Sequence, residues 1–266
     1  MQDAAPSQSR QSDVLDPARA NALLAALGRD GALDVGDPLP PFFHQLYFWE
    51  ARPPAALGQD GHPKVGGLIP DMGLPRRMWA GGRLTFHQPL RLGAPAEKRT
   101  TCASAVRKTG RSGPLAFVTL RHDIWQGDQC CVTEWQDLVY RPAADPKAAP
   151  PTPPRAHGTD GETVRFDTTM LFRYSALTFN GHRIHYDEPY SRTVEGYDGL
   201  VVHGPLLAQL LMLKATRALG PLTRFSFRGR SPLMHHEAAI LCCDGPQFWI
   251  AGPDGRLVME AEAAAS

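Results

Sequence analysis

Residues 201–220, VVHGPLLAQLLMLKATRALG, read as a single very apolar helix, entered through Gly204 and Pro205 and stopped by Gly220 and Pro221. A helix with so little polar surface has to be enclosed by other structure, so the fold must wrap it. Immediately upstream, residues 171–187, LFRYSALTFNGHRIHYD, crowd Tyr174, Ser175, Asn180, His182 and His185 into a polar, histidine-bearing loop. The chain's chemistry is expected where that loop meets the helix.

Downstream of the helix, residues 222–233, 237–245, 247–252 and 255–263 read as strands. The first half of the chain repeats this plan. Residues 14–28 carry leucines and alanines at helical spacing, with Asp16 and Pro17 as cap and first turn and Gly28 as the stop. Residues 37–51, DPLPPFFHQLYFWEA, are expected to form an aromatic helix of about three turns. With Phe42, Phe43, Leu46, Tyr47 and Trp49 it has no polar side and should be enclosed. Residues 52–74 form a long irregular loop, a candidate lid or substrate-contacting segment. Strands follow at residues 76–90, 100–110, 114–126 and 130–142, the last three joined by hairpin-like GRSG and QGDQ turns.

Residues 143–160, rich in proline and alanine, read as a semi-stiff linker. One enclosed helix before an antiparallel meander, twice over, implies an α+β double hot-dog: two antiparallel sheets, each wrapped round a central helix. The expected organisation is a disordered tail over residues 1–13, an N-terminal non-catalytic hot-dog domain over 14–142, and the linker over 143–160. A C-terminal catalytic hot-dog domain follows over 161–266. The duplication is architectural, without a residue-by-residue repeat.

The 266 residues are 42% apolar and 21% charged, ordinary for a globular protein, and the formal charge of +1 gives no case for nucleic acid or an anionic membrane. No window holds the roughly 18–20 apolar residues of a membrane span. The polar start lacks a signal-peptide core, and the five cysteines include no C-x-x-C pair, so reduced thiols in the cytoplasm are expected.

The segment LTFNGHRIH, residues 177–185, resembles the loop signature S-G-D-x-N-P-I-H of the MaoC-like hydratase and dehydratase family. Asn180 falls at the family's aspartate, His182 at its asparagine and His185 at its catalytic histidine. His203, Gly204 and Pro205 match the start of its hot-dog helix. The longer stretches at residues 172–190, 38–48 and 75–90 are similar to the branch of type 2 hydroxyacyl-thioester dehydratases and mesaconyl-CoA or itaconyl-CoA hydratases.

That resemblance implies a hydro-lyase that hydrates a 2,3-enoyl-CoA reversibly to the 3-hydroxyacyl-CoA, the acyl group being short, branched and dicarboxylic. It implies His185 as the acid–base group and the Gly204 N–H as the donor to the developing thioester enolate oxygen. Asn180 accepts and donates hydrogen bonds but cannot titrate. It is expected to position the water, the plainer alternative being a loop cap. Tyr174 and His182 are expected beside the acyl group, and Arg76, Arg77, Arg228 and Arg230 are candidates for the coenzyme A phosphates or a substrate carboxylate. His203 is expected to orient the helix, and His235 and His236 to be solvated.

No metal is expected, because no third ligand stands at sensible spacing from His182 and His185. No redox cofactor is implied either. A homodimer is expected. Alternatives are a 3-hydroxyacyl-thioester dehydratase of fatty acid synthesis and a non-catalytic acyl-thioester-binding hot-dog protein. A thioesterase would want a carboxylate on the helix or in the loop, and residues 204–220 contain none.

Overall fold

The computed structural model describes residues 8–110, 113–143 and 152–266. The first half runs β1 (Gln8–Val14), α1 (Pro17–Ala26), β2 (Arg76–Phe86), β3 (Pro95–Gly110), β4 (Gly113–Gln126) and β5 (Gln129–Arg141). The second runs β6 (Glu162–Val164), α2 (Thr168–Leu177), α3 (Glu188–Thr193), α4 (Gly204–Leu219), β7 (Leu222–Gly229), β8 (Ala239–Asp244), β9 (Gln247–Ala251) and β10 (Leu257–Ala265). The strands form one antiparallel sheet in the order β1-β3-β4-β5-β2-β7-β10-β9-β8-β6.

Numbered within its own half, each group of five follows the same path, first-third-fourth-fifth-second, so the halves are topological copies. They join where β2 pairs with β7, from Gly81 opposite Arg228 to Thr85 opposite Arg224. The expected pair of sheets is thus one continuous sheet. Two glycines permit the seam: a Cβ on Gly81 would stand 2.5 Å from the Phe227 carbonyl, and one on Gly82 would stand 2.7 Å from that of Trp135.

α4 has the bounds its sequence implies and packs on β2, β7, β9 and β10. Leu206, Leu207, Leu210, Leu211 and Met212 are all buried, each contributing about 1.5–3 kcal/mol. Its one buried polar side chain, Gln209, donates to the Pro41 carbonyl of the first half at 2.9 Å.

Four expectations need correction. Residues 8–13 are no tail: β1 pairs with β3 along its whole length, from Gln8 opposite Thr101 to Val14 opposite Pro95. Residues 37–51 form no α-helix, only a 3-10 turn over Phe43–Leu46. Pro38, Pro40 and Pro41 remove N–H donors, and Phe42 and Phe48 take left-handed backbone (φ 69° and 61°). Its all-round apolar pattern reported burial rather than helix: Phe42, Phe43, Leu46, Tyr47 and Phe48 are all in the core. The first half therefore has no long central helix of its own: its aromatic turn lies in the core, and α1 packs on that turn and on α2. Finally, residues 171–177, expected to open the histidine-bearing loop, belong to the helix α2, capped by Asp167, whose carboxylate accepts the Met170 N–H at 2.7 Å.

Within residues 143–160, positions 144–151 lie outside the described residues. The rest runs against β9 and β10, with Leu257 N–H donating to the Pro154 carbonyl and the Trp249 indole N–H to that of Gly158.

Candidate active site

A cavity of about 1350 Å³ opens between the halves, and Asp60, His62, Asn180, His182, His185 and Gly204 all line it. His185 ends a 3-10 turn, Arg183–His185, and is 6% exposed. Its Nδ1 lies 2.7 Å from the Val201 carbonyl. A carbonyl only accepts, so Nδ1 carries the proton and the Nε2 lone pair is left for the cavity. Burial pushes its pKa down to about 4, opposed by the Val201 contact, so the ring is a neutral base at pH 7.

His203 lies face to face with His185, ring centres 3.7 Å apart and planes 20° from parallel. It is fully buried, and its Nε2 meets Ser175 Oγ at 2.8 Å. Burial holds it well below the ordinary imidazole value, and stacking against His185 penalises a second charge. It stands at the N-cap position of α4 without capping the helix through its side chain. Ser175 sits behind His203 and does not line the cavity, so it is not placed as a nucleophile.

The N-terminus of α4 presents the Gly204 N–H, no side chain caps it, and Pro205 brings no N–H of its own. The nearest heavy atom to a Cβ built on Gly204 would be the Trp79 carbonyl oxygen at 3.8 Å. The protein does not demand glycine there, so the missing side chain is room for a ligand. Asn180 Oδ1 accepts the His182 N–H at 3.0 Å, closing a turn and leaving the amide NH₂ as the free donor.

The expected lid, residues 52–74, is fastened to the histidine loop. Arg183 N–H donates to the Asp60 carbonyl at 2.9 Å and the Arg183 guanidinium to that of Gln59 at 3.2 Å. This places Asp60 and His62 beside His182, the polar atoms of all three lying within 4.8 Å of one another. The sequence reading did not foresee these two. Their signal was the DGHP turn at residues 60–63, a carboxylate and an imidazole two residues apart around a glycine, far along the chain from the site it joins.

The arginines divide. Arg76 is held by Glu195 at 2.8 Å and Arg230 by Glu260, and both still line the cavity, as does Arg77. Arg228 does not: the two-residue alternation of β7 buries Phe225 and Phe227 and turns Arg228 out to solvent. Tyr174 is not in the cavity either, since it faces inward from α2 and packs edge-on against His203 at 4.9 Å.

A double hot-dog whose central helix opens on a histidine-lined cavity defines the class by fold, and the sequence relatives make it a hot-dog hydro-lyase. The chain belongs to the hydroxyacyl-thioester dehydratase type 2 family, whose sequence profile matches residues 42–235. It is 46% identical over 239 residues to the mesaconyl-C(4)-CoA hydratase of Chloroflexus aurantiacus, covering 87% of this chain and 85% of that one. Among solved structures it resembles HtdX of Mycobacterium tuberculosis, with TM-score 0.69 and 17% identity over 97% of this chain and 99% of that one. A second M. tuberculosis protein, described as a double hot-dog, matches with TM-score 0.59 and 13% identity over 98% and 95% of the two chains. At these identities the structural likenesses establish the fold alone.

Proposed function

We propose that this protein adds water reversibly across the 2,3-double bond of an enoyl-CoA, giving the 3-hydroxyacyl-CoA. His185 Nε2 takes a proton from water as its oxygen bonds to C3. The π electrons move toward C2 and the thioester oxygen, where the Gly204 N–H meets the developing negative charge. Such a donor is worth about 3–4 kcal/mol in the transition state. A proton reaches C2 to complete the addition. The observation that carries this reading is the His185 tautomer, fixed by Val201 so that its lone pair serves the same cavity as the α4 N-terminus.

A short dicarboxylic acyl group, mesaconyl- or itaconyl-like, is the substrate class we favour over a long alkyl chain. Lys98, Thr100, His122 and Gln136 of the first half line another wall of the cavity. Thr100, His122 and Gln136 satisfy one another there, but an alkyl chain laid against the Lys98 ammonium would desolvate it without replacing the lost partner, where a substrate carboxylate would pair with it. The reaction as written needs neither metal nor redox cofactor. We place the enzyme in the cytoplasm, a reading supported by five free cysteines and tested by fractionation. Among the described residues no helix is long and apolar enough to cross a membrane. A homodimer is a separate proposal, for light scattering to decide.

The test is a panel of enoyl-CoA thioesters followed at the enoyl thioester absorbance, with wild type and His185→Ala. The substitution should cut the rate by about 10²- to 10⁴-fold. An equal rate in the two proteins overturns the assignment.

A further inference from the structure

Hydration moves protons at two places, off the attacking water and onto C2, and Asn180 cannot titrate. We propose that Asp60 and His62 form the second acid–base group of this cavity, a carboxylate-backed imidazole that works on the same substrate as His185. The proposal rests on the hydratase reading and adds residues to it.

The geometry is that of an oriented acid–base pair. Asp60 Oδ2 lies 3.0 Å from His62 Nδ1, and Asp60 Oδ1 accepts the His62 backbone N–H at 3.0 Å. Both carboxylate oxygens are thus engaged by one residue, and the imidazole is fixed in orientation. A carboxylate only accepts, so Nδ1 carries the shared proton and Nε2 is the exchanging position. A carboxylate behind one ring nitrogen is the arrangement that sets tautomer and raises basicity at the other. His185 has only a neutral carbonyl behind it, so the two imidazoles differ in what stabilises their charged forms.

The pair is within reach of the chemistry. The His62 ring centre is 4.3 Å from that of His182, which meets His185 edge-on at 5.3 Å. His62, His182 and His185 line one cavity. The groups facing His62 are Asp60 from its own loop, His182 and His185 from the opposing loop and Arg77 from β2; the Asp60 charge is also felt by Tyr140 on β5 and Tyr190 on α3, whose hydroxyls it holds up. Burial, with the Arg77 charge, outweighs the Asp60 contact and holds the His62 pKa below the ordinary imidazole value, so its acid form belongs to the acid side of neutrality.

In the hydration direction the step balances as follows. A water O–H bond breaks and its proton goes to neutral His185 Nε2 while oxygen bonds to C3. The π pair forms a C2–H bond with the proton of the His62 imidazolium, whose charge Asp60 had compensated. His185 then releases its gained proton to bulk water and His62 takes one up from it, so both groups are restored. Dehydration is the reverse, with neutral His62 removing the C2 proton.

The experiment compares kcat and KM for hydration, against pH, in wild type, His62→Gln, Asp60→Asn and His185→Ala, with thermal melts to show that each folds. His62→Gln should lose about 10²-fold or more in kcat with little change in KM, and with it the fall of kcat as pH rises. Asp60→Asn should keep that fall but move it to lower pH, because the imidazolium loses its carboxylate. A folded His62→Gln with wild-type kcat, or one that is slower with the pH profile retained, overturns the proposal while an inactive His185→Ala leaves the hydratase reading standing. Should His62→Gln fail to fold, Asp60→Asn decides by the direction of its pH shift. An inert wild type sinks both. Stoichiometric metal in the purified enzyme, with chelation abolishing turnover, would make the cluster a cation site and overturn the acid–base role.

Discussion

Gly61 faces the carbonyl of Gly181 so closely that a Cβ at position 61 would stand 2.0 Å from that oxygen. Its φ of +88° is also one that side chains rarely adopt. The contact seats Asp60 and His62 against the histidine loop, so position 61 joins the two halves of the site. Gly61→Ala should cost about 1–3 kcal/mol of stability. It should also cut kcat/KM by at least about tenfold, since misplacing a catalytic group by an ångström is enough to do so. A variant with unchanged melting temperature and unchanged kcat/KM would mean that the two loops need not touch for turnover.

Gly204 is the opposite kind of glycine, with nothing of the protein nearer than 3.8 Å to a built Cβ. Alanine is the better helix former, so Gly204→Ala should melt at the wild-type temperature or slightly above it. The added methyl stands where the cavity meets the α4 N-terminus and should push the thioester oxygen off the N–H. Steady-state kinetics should show kcat/KM reduced about 10- to 10²-fold, up to the loss of one oxyanion donor. Full activity would remove the Gly204 N–H from the mechanism.

Much of this was legible in the chain. The bounds of α4, the presence of the long antiparallel strands and the Asn180-to-His185 loop follow from local pattern and from a signature only a few residues long, whereas the order of the strands in the sheet does not. The aromatic turn at Phe43 was misread because an apolar run reports enclosure, and prolines then decide the backbone. Asp60 and His62 were missed for a different reason. No local pattern predicts that a glycine-rich loop docks on residues about 120 positions later; only the Gly61–Gly181 approach and the Arg183 hydrogen bonds reveal it. α2 was missed although Asp167 stands at its N-cap, a start signal present in the sequence.

Buried neutral histidines should make stability depend on pH. His122 and His185 both have pKa values lowered to about 4 by burial, and burial holds His203 well below its ordinary value too. Unfolding restores each to its ordinary value near 6.5, so between those pH values the unfolded chain binds more protons than the folded one. His182, lowered to about 2, and His62 act in the same direction, so stability should be fully present above about pH 6.5 and decline as pH falls toward 4, with several protons taken up on unfolding. Urea titrations at half-unit pH intervals would show the slope. Stability that stays flat from pH 7 to 4 would mean these rings are not held neutral.

Asn180 separates two functions in one side chain. Its oxygen closes the turn onto the His182 N–H at 3.0 Å, while its NH₂ is the group available to hold water. A carboxylate would accept the same N–H, so Asn180→Asp should keep the turn and melt close to wild type. It lacks the donor, however, and brings a charge toward the Asp60–His62 pair. If the NH₂ positions the water, Asn180→Asp should lose about tenfold or more in kcat, with KM little changed. Asn180→Ala removes both contacts and should lose about 1 kcal/mol of stability along with kcat. Thermal melts and kinetics on the two variants together make the distinction. Loss of kcat confined to Asn180→Ala would assign the residue to the loop alone, and the water would then have to be held by the histidines.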